Sequence, residues 1–304
     1  SLIALLPSSR LHSKILSWYK INSRGLPWRR TRNPYRILLS EVMAQQTQVS
    51  RVAVFYSIWL KRFPTLSRLA KAGKADVLRQ WSGLGYNSRA LRLHELAKRI
   101  MEDSGGRLPR TIEELHELPG IGKYTAHAIA CFAFGAAVPV VDVNVRRIFS
   151  RIFWNARSAA DVKPDAEIWA LAEKTLPRRN AVEWNQAIMD LGALVCTARN
   201  PNCGLCPVNS LCASAFSNAF NIKYSRKKKA EPSFKGIPRR IYRGRILKAL
   251  HEKPLTSRQI GERVVDRFHP RDLKWMARVL ETMEREALIA IRGAGERKII
   301  CIAQ

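Results

Sequence analysis

Over the N-terminal two thirds of the chain, apolar positions recur at helical spacing, the mark of helices that each bury one face. Leu11, Ile15, Leu16 and Trp18 predict an amphipathic helix over residues 10–22, which Arg24-Gly25-Leu26-Pro27 breaks. A mostly apolar helix follows Pro34, with Leu38, Leu39, Val42 and Met43 set around one acid, Glu41. A glycine turn at Leu84-Gly85-Tyr86 leads into another helix. Helical patterns also flank Leu118-Pro119-Gly120-Ile121-Gly122-Lys123-Tyr124, and one more runs over 182–194. After Phe216 the pattern changes. A charged stretch through Arg226-Lys227-Lys228-Lys229 reads as a linker over 221–239. Helices are then expected at 244–251, 256–265 and 271–287, and strands at 288–292 and 298–302 across Gly293-Ala294-Gly295. Helix, helix, helix and β-hairpin is the order of a winged helix, whose third helix is a candidate groove reader. A small packing or protein-binding domain is the other reading of this tail.

Length and charge narrow the class. The 304 residues suffice for two or three domains, and 46% hydrophobic content fills their cores. No apolar run approaches the ~20 residues of a membrane span, and a signal-peptide core is missing, so a soluble, intracellular protein is expected. Basic residues number 53 against 24 acidic, a net charge of +29, and from residue 221 onward 22 against 9, a net of +13. A surplus of this size implies a polyanionic partner, and its spread along the whole chain favours nucleic acid over a membrane surface.

Three groups of residues carry candidate chemistry. Gly120 and Gly122 flank one aliphatic residue between helices, describing a tight hairpin whose backbone amides open outward at a helix start and bind phosphate. An ordinary helix-turn-helix corner would use the same residues. Asp142 ends the apolar run Val140-Val141, where a carboxylate is costly without a role or partner. Burial of Glu41 among its apolar neighbours would favour the protonated form that a general acid needs. The polar cluster Gln45-Gln46-Thr47-Gln48 behind it suits hydrogen bonding to base edges. Cys196, Cys203, Cys206 and Cys212 fall within seventeen residues and argue for metal, although four thiolates serve zinc or an iron–sulfur cube equally. Cys131 and Cys301 sit in apolar surroundings and are expected to be inert.

From Trp18 to Cys212 the chain resembles the helix-hairpin-helix base-excision DNA glycosylases, the superfamily of endonuclease III and MutY. The resemblance rests on LPGIGKYTA, on VVDVNVRRIFSR, on LSEVMAQQTQV and on the cysteine spacing x6, x2, x5. It implies a mainly α, two-lobed glycosylase fold with a [4Fe–4S] cluster loop over 196–212 within a domain of residues 1–220. The small α+β, winged-helix-like domain over 240–304 stands where MutY enzymes carry a larger domain that reads 8-oxoguanine. It further implies Glu41 as acid, Asp142 as stabiliser of a sugar cation and Asn144 as its support. Tyr124 stands where bifunctional relatives have a Schiff-base lysine, which implies a monofunctional enzyme. Arg24, Trp28, Arg29, Gln186 and Met189 match base-pocket positions, while Asp190 is expected to serve helix packing or capping. Gln45, Gln46, Thr47, the wedge-like Tyr86, Leu118, Gly120, Gly122 and Lys123 match DNA contacts. Ala44 departs from the usual leucine. The expected partner is double-stranded DNA with a mispaired or damaged base, met by a monomer in the cytoplasm or nucleoid, and the expected reaction removes adenine opposite 8-oxoguanine or guanine to leave an abasic site. A thymine or uracil mismatch glycosylase and a non-catalytic DNA-binding protein are the alternatives.

Overall fold

The computed structural model describes residues 8–157, 161–217, 231–293 and 298–303. In chain order its helices begin with α1 (Ser8–Asn22), α2 (Pro34–Ala44), α3 (Val49–Arg62), α4 (Leu66–Ala70), α5 (Lys74–Trp81) and α6 (Ser88–Ser104). Then follow α7 (Ile112–Glu117), α8 (Lys123–Phe132), α9 (Val143–Trp154), α10 (Asp165–Lys174) and α11 (Ala181–Leu194). The C-terminal region holds β1 (Ser233–Phe234), β2 (Ile237–Pro238), α12 (Arg239–Glu252), α13 (Ser257–Val264), α14 (Leu273–Arg285), β3 (Ile289–Arg292) and β4 (Ile299–Ile302). The chain divides into two compact units, residues 1–37 with 109–226 and residues 38–108 with 227–304.

In the first unit α11 is the central helix. Trp184, Ala187, Ile188 and Leu191 are buried, and α1, α8 and α9 pack on it. Leu11 and Ile15 form the buried stripe of α1, whereas Leu16 and Trp18 keep partial exposure. His12 of α1 sets its ring edge against Trp184 and meets the Thr175 carbonyl at 2.7 Å. Helices α7 and α8 form the hairpin, closed by the Ile121 amide donating to the Leu118 carbonyl at 3.1 Å. Gly120 takes φ +83°, which a side chain would resist.

In the second unit Trp59 of α3 and Trp81 of α5 meet edge to face at 5.4 Å, and α6 buries Leu93, Leu96 and Ile100 beside them. Tyr242, Ile246 and Leu250 of α12 pack with Met276, Val279, Leu280 and Met283 of α14 in a core of their own. Thr256 and Gln259 form a reciprocal capping box on α13. Strands β3 and β4 pair antiparallel, Ile289 opposite Ile302 and Arg292 opposite Ile299. The helix, helix, helix and hairpin order is therefore as expected, with shifted bounds. Pro238 stands at the N-cap of α12, which starts at Arg239 rather than 244. The stretch assigned to α14 opens as a 3-10 turn over Pro270–Asp272.

Residues 221–230 of the expected linker lie outside the described residues, as do Ala294 and Gly295 of the expected turn. The end of that linker differs from expectation. Ser233–Phe234 and Ile237–Pro238 pair as a hairpin because Lys235 and Gly236 both adopt positive φ, and Phe234 stacks on Trp275 at 4.0 Å. Among the described residues no helix is long and apolar enough to cross a membrane.

Candidate active site

The first unit carries Asp142 at the N-cap of α9, in extended conformation after the buried Val140 and Val141. Its Oδ1 accepts from the Asn144 and Val145 amides, both at 2.8 Å, and its Oδ2 from the Asn144 side-chain amide at 2.7 Å. Asn144 is oriented in turn. Arg147 donates to its Oδ1 at 2.8 Å, and also to the Gly192 carbonyl at 2.7 Å and the Cys196 carbonyl at 2.9 Å. Burial pushes the Asp142 carboxyl above its ordinary value, while these hydrogen bonds and the Arg147 charge oppose the rise. The carboxylate is thus fixed in place and poorly solvated, which leaves it available to a developing positive charge.

Gly122 caps α8 without a side-chain hydrogen bond, leaving the first amides of that helix open to an anion. Leu118 is half-buried, and Gly120, Gly122 and Lys123 are exposed. The Lys123 ammonium lies 4.1 Å from the centroid of Trp169, and Tyr124 is half-buried.

A second group in the same unit joins α1, the 3-10 turn Pro27–Arg30 and α11. Asp190, 0% exposed, accepts from the Arg24 amide at 2.9 Å and the Arg24 Nε at 2.7 Å, and from both Arg29 terminal nitrogens at 2.6 and 2.7 Å. The packing or capping role expected for Asp190 is corrected to that of a buried counter-ion for two arginines, placed inside α11 rather than at its end. Burial alone would raise its pKa, but the Arg29 and Arg24 contacts outweigh this and hold it below the usual carboxylate range. Tyr19 donates to Gln186 Oε1 at 2.8 Å beside them, Trp28 lies half-buried in the turn, and Met189 is buried. The structure therefore gathers Arg24, Arg29 and Gln186 around partners, Tyr19 and Asp190, that the sequence reading did not count.

The second unit carries Glu41, half-buried on α2 between the buried Ser40 and Val42. The helix ends at Ala44, and Gln46 then adopts φ 56°. Gln45 and Thr47 are half-buried and Gln46 is exposed. Tyr86 is 54% exposed and also at positive φ. Arg89, which the sequence reading passed over, lies between these segments.

The cysteine loop follows α11 with little regular structure of its own. Two 3-10 turns, Cys203–Leu205 and Asn209–Leu211, are tied by the Asn209 side-chain amide donating to the Cys203 carbonyl at 3.1 Å. Arg151 of α9, buried, donates to the Cys196 sulfur at 3.2 Å and to the Thr197 and Ala198 carbonyls. The Cys206 thiol is pushed up to about 11 and Cys212 to about 12 mainly by burial, with Cys196 and Cys203 adding to both. Among the described residues no three His, Cys, Asp or Glu side chains form a ligand group for one metal ion. Four cysteines on one short loop, two of them raised in part by the others, fit a cluster whose ligands bind separate irons. Cys131 is buried with its pKa raised to about 12, as an inert thiol should be.

The hairpin, the capping aspartate and the cysteine loop together define a helix-hairpin-helix base-excision repair protein. Residues 39–174 match the model of the HhH-GPD superfamily base excision DNA repair proteins, and residues 196–212 that of the iron–sulfur binding domain of endonuclease III. The chain is 41% identical over 284 residues to the adenine DNA glycosylase of Mycobacterium tuberculosis, covering 91% of this chain and 89% of that one. The adenine DNA glycosylase of Mycolicibacterium smegmatis is 48% identical over 197 residues, 64% of this chain and 67% of that one. The Homo sapiens enzyme of the same name is 44% identical over 207 residues, and the chain spans 38% of its length. Among solved structures, a thermostable thymine-DNA glycosylase superposes with a TM-score of 0.64 at 32% identity, over 68% of this chain and 96% of that one. The chain belongs to the adenine DNA glycosylase family within the HhH-GPD superfamily. It binds DNA and carries a [4Fe–4S] cluster, with the iron–sulfur match over residues 196–212.

Proposed function

We propose that this protein releases adenine from a mispair in double-stranded DNA by hydrolysing its N-glycosidic bond, leaving an abasic site. The observation that carries this reading is the fixed, poorly solvated Asp142 carboxylate with its Asn144 and Arg147 supports, in a chain 41% identical to an adenine DNA glycosylase over 91% of its length. Glycosidic cleavage needs a better leaving base and a stabilised oxocarbenium-like sugar, and two carboxyl groups divide that labour. Glu41 protonates N7 of the extruded adenine, so that the base departs neutral, and Asp142, ionised, stabilises the sugar cation. Tyr124 cannot form a Schiff base, so the enzyme is monofunctional and leaves the strand intact.

Arg24, Trp28, Arg29, Gln186 and Met189 line the base pocket. Gln45, Gln46, Thr47 and Tyr86 enter the duplex at the lesion, and Leu118, Gly120, Gly122 and Lys123 hold the backbone through the hairpin amides. Cys196, Cys203, Cys206 and Cys212 would hold the cluster, whose role would be to fix the loop that carries the exposed Arg199 toward the phosphates. The protein acts as an intracellular monomer, with a glycosylase domain N-terminal to a winged-helix-like domain over 240–304. The likeness to a thymine-DNA glycosylase supports a second reading, removal of thymine or uracil opposite guanine.

Single-turnover release from duplexes with adenine opposite 8-oxoguanine, adenine opposite guanine, thymine opposite guanine and uracil opposite guanine separates these readings. Adenine release that is lost in Glu41→Gln is expected. Release of thymine or uracil alone transfers the assignment to the second reading, and no release from any duplex overturns both.

A further inference from the structure

Arg89, at the start of α6, is 3% exposed, and among the described residues its guanidinium has no carboxylate partner. A buried cation compensated solely by neutral oxygens is an expensive device. Its hydrogen bonds all go to two short segments. Nη1 donates to the carbonyls of Val42 and Met43, both at 2.9 Å, and of Gln45 at 2.5 Å. Nη2 donates to Thr47 Oγ1 and the Gly85 carbonyl, both at 3.0 Å, and Nε to the Tyr86 carbonyl at 3.4 Å. The guanidinium also lies 5.2 Å from the Trp81 ring centroid and 5.6 Å from that of Tyr86, and Trp81 Nε1 donates to the Gly85 carbonyl at 3.0 Å.

Two features give this arrangement its meaning. Val42 and Met43 lie in the last turn of α2, whose carbonyls lack helical partners, so Arg89 caps the C-terminus of the helix that bears Glu41 with a positive charge. Its other acceptors bracket two non-glycine residues at positive φ, Gln46 at 56° and Tyr86 at 50°. A left-handed side-chain-bearing residue is strained and persists where its surroundings over-determine it. Both residues are exposed, and both are assigned to the duplex by the reading above.

We infer that Arg89 is the positioning residue of base extrusion: its guanidinium locks Gln46 and Tyr86 in their left-handed conformations as one preformed probe and ties that probe to the end of the Glu41 helix. The probe enters the duplex without first having to be ordered, so the ordering cost is not added to the unstacking cost of the extruded base. The inference rests on the proposed glycosylase reading. Its content is distinct, because Arg89 touches neither the base nor the sugar.

The test compares the full-length protein with Arg89→Lys, which keeps the charge and loses the planar fork. Single-turnover adenine release is measured from a duplex with adenine opposite guanine and from one with adenine opposite an abasic analogue, where the base is already unpaired. Loss of charged hydrogen bonds that serve extrusion should slow the first by about tenfold or more. The second should slow by less than about threefold, because little extrusion remains to be assisted. Equal losses on the two duplexes, or none, overturn the inference, since a purely structural role would not distinguish them. Fluorescence of 2-aminopurine beside the mismatch reads unstacking without chemistry: a smaller rise for Arg89→Lys supports the inference, and an equal rise overturns it. Failure of the adenine reading shows instead as no release by the unaltered protein from either duplex. Should Arg89→Lys not melt cooperatively, Thr47→Val removes one acceptor of Nη2 and must show the same unequal loss, smaller in size.

Discussion

A glycine and an aspartate on α11 hold the first unit's site together. A Cβ on Gly192 would stand 2.5 Å from Asn144 Cβ and 3.1 Å from Arg147 Nη2. The nearest atom is close to a helix backbone and cannot swing away, so Gly192→Ala must part α9 from α11. The expected cost is about 1–3 kcal/mol by urea unfolding, with adenine release reduced disproportionately because Asn144 leaves Asp142. Asp190→Asn strands the Arg24 and Arg29 charges. Since both arginines keep some exposure, the loss should fall near the lower end of the ~3–5 kcal/mol seen when a buried pair is broken. The sign with pH follows from the lowered Asp190 pKa: its contribution is present above the ordinary carboxylate pKa of about 4 and is lost as pH falls through the folded value. Acid titration of stability should therefore be flatter in Asp190→Asn.

At the scale of elements, α9 is a helix whose cap is also the candidate catalytic group. Asparagine caps as well as aspartate, whereas alanine does not. The raised pKa of Asp142 means that its charged form costs the fold some stability at neutral pH. Asp142→Asn should melt at or above the unaltered protein, Asp142→Ala should lose about 1 kcal/mol by thermal denaturation, and both should lose base release. A loss of melting temperature in Asp142→Asn that matches Asp142→Ala would mean that the ionised carboxylate, rather than its acceptor geometry, holds the helix. The same helix anchors the cluster loop through Arg147 and Arg151, so removing the cluster should loosen the turn that positions Asn144.

At the scale of the whole molecule, charge and pH set the working conditions. A net charge of +29 makes DNA affinity fall steeply with salt, and the log–log slope counts the phosphates engaged. In the second unit neither ring nitrogen of His251 has a hydrogen-bond partner among the described residues, and burial, aided by Arg79, lowers its pKa. The unfolded chain thus takes up this proton first. Stability is greatest with the ring neutral and falls as pH drops below the ordinary value of about 6.5. The melting temperature should decline between pH 7.5 and 5.5, and His251→Leu should shrink that decline.

What the sequence determined by itself was local or compositional. Helical periodicity marked the helices, the Pro-Gly-Ile-Gly turn marked the hairpin, cysteine spacing marked the cluster loop, and the apolar run Val140-Val141 marked Asp142, because each depends on neighbours within a few residues. Tertiary structure decided the roles of residues whose partners are distant in the chain. Asp190 lies 166 positions from Arg24, Arg89 lies 47 from Val42, and Arg147 lies 45 from Gly192. An arginine in a basic chain gives no sign of being buried, and a glycine inside a helix gives no sign of what presses against it. Those facts come into being when helices pack, and they hold the candidate catalytic residues where the reaction needs them.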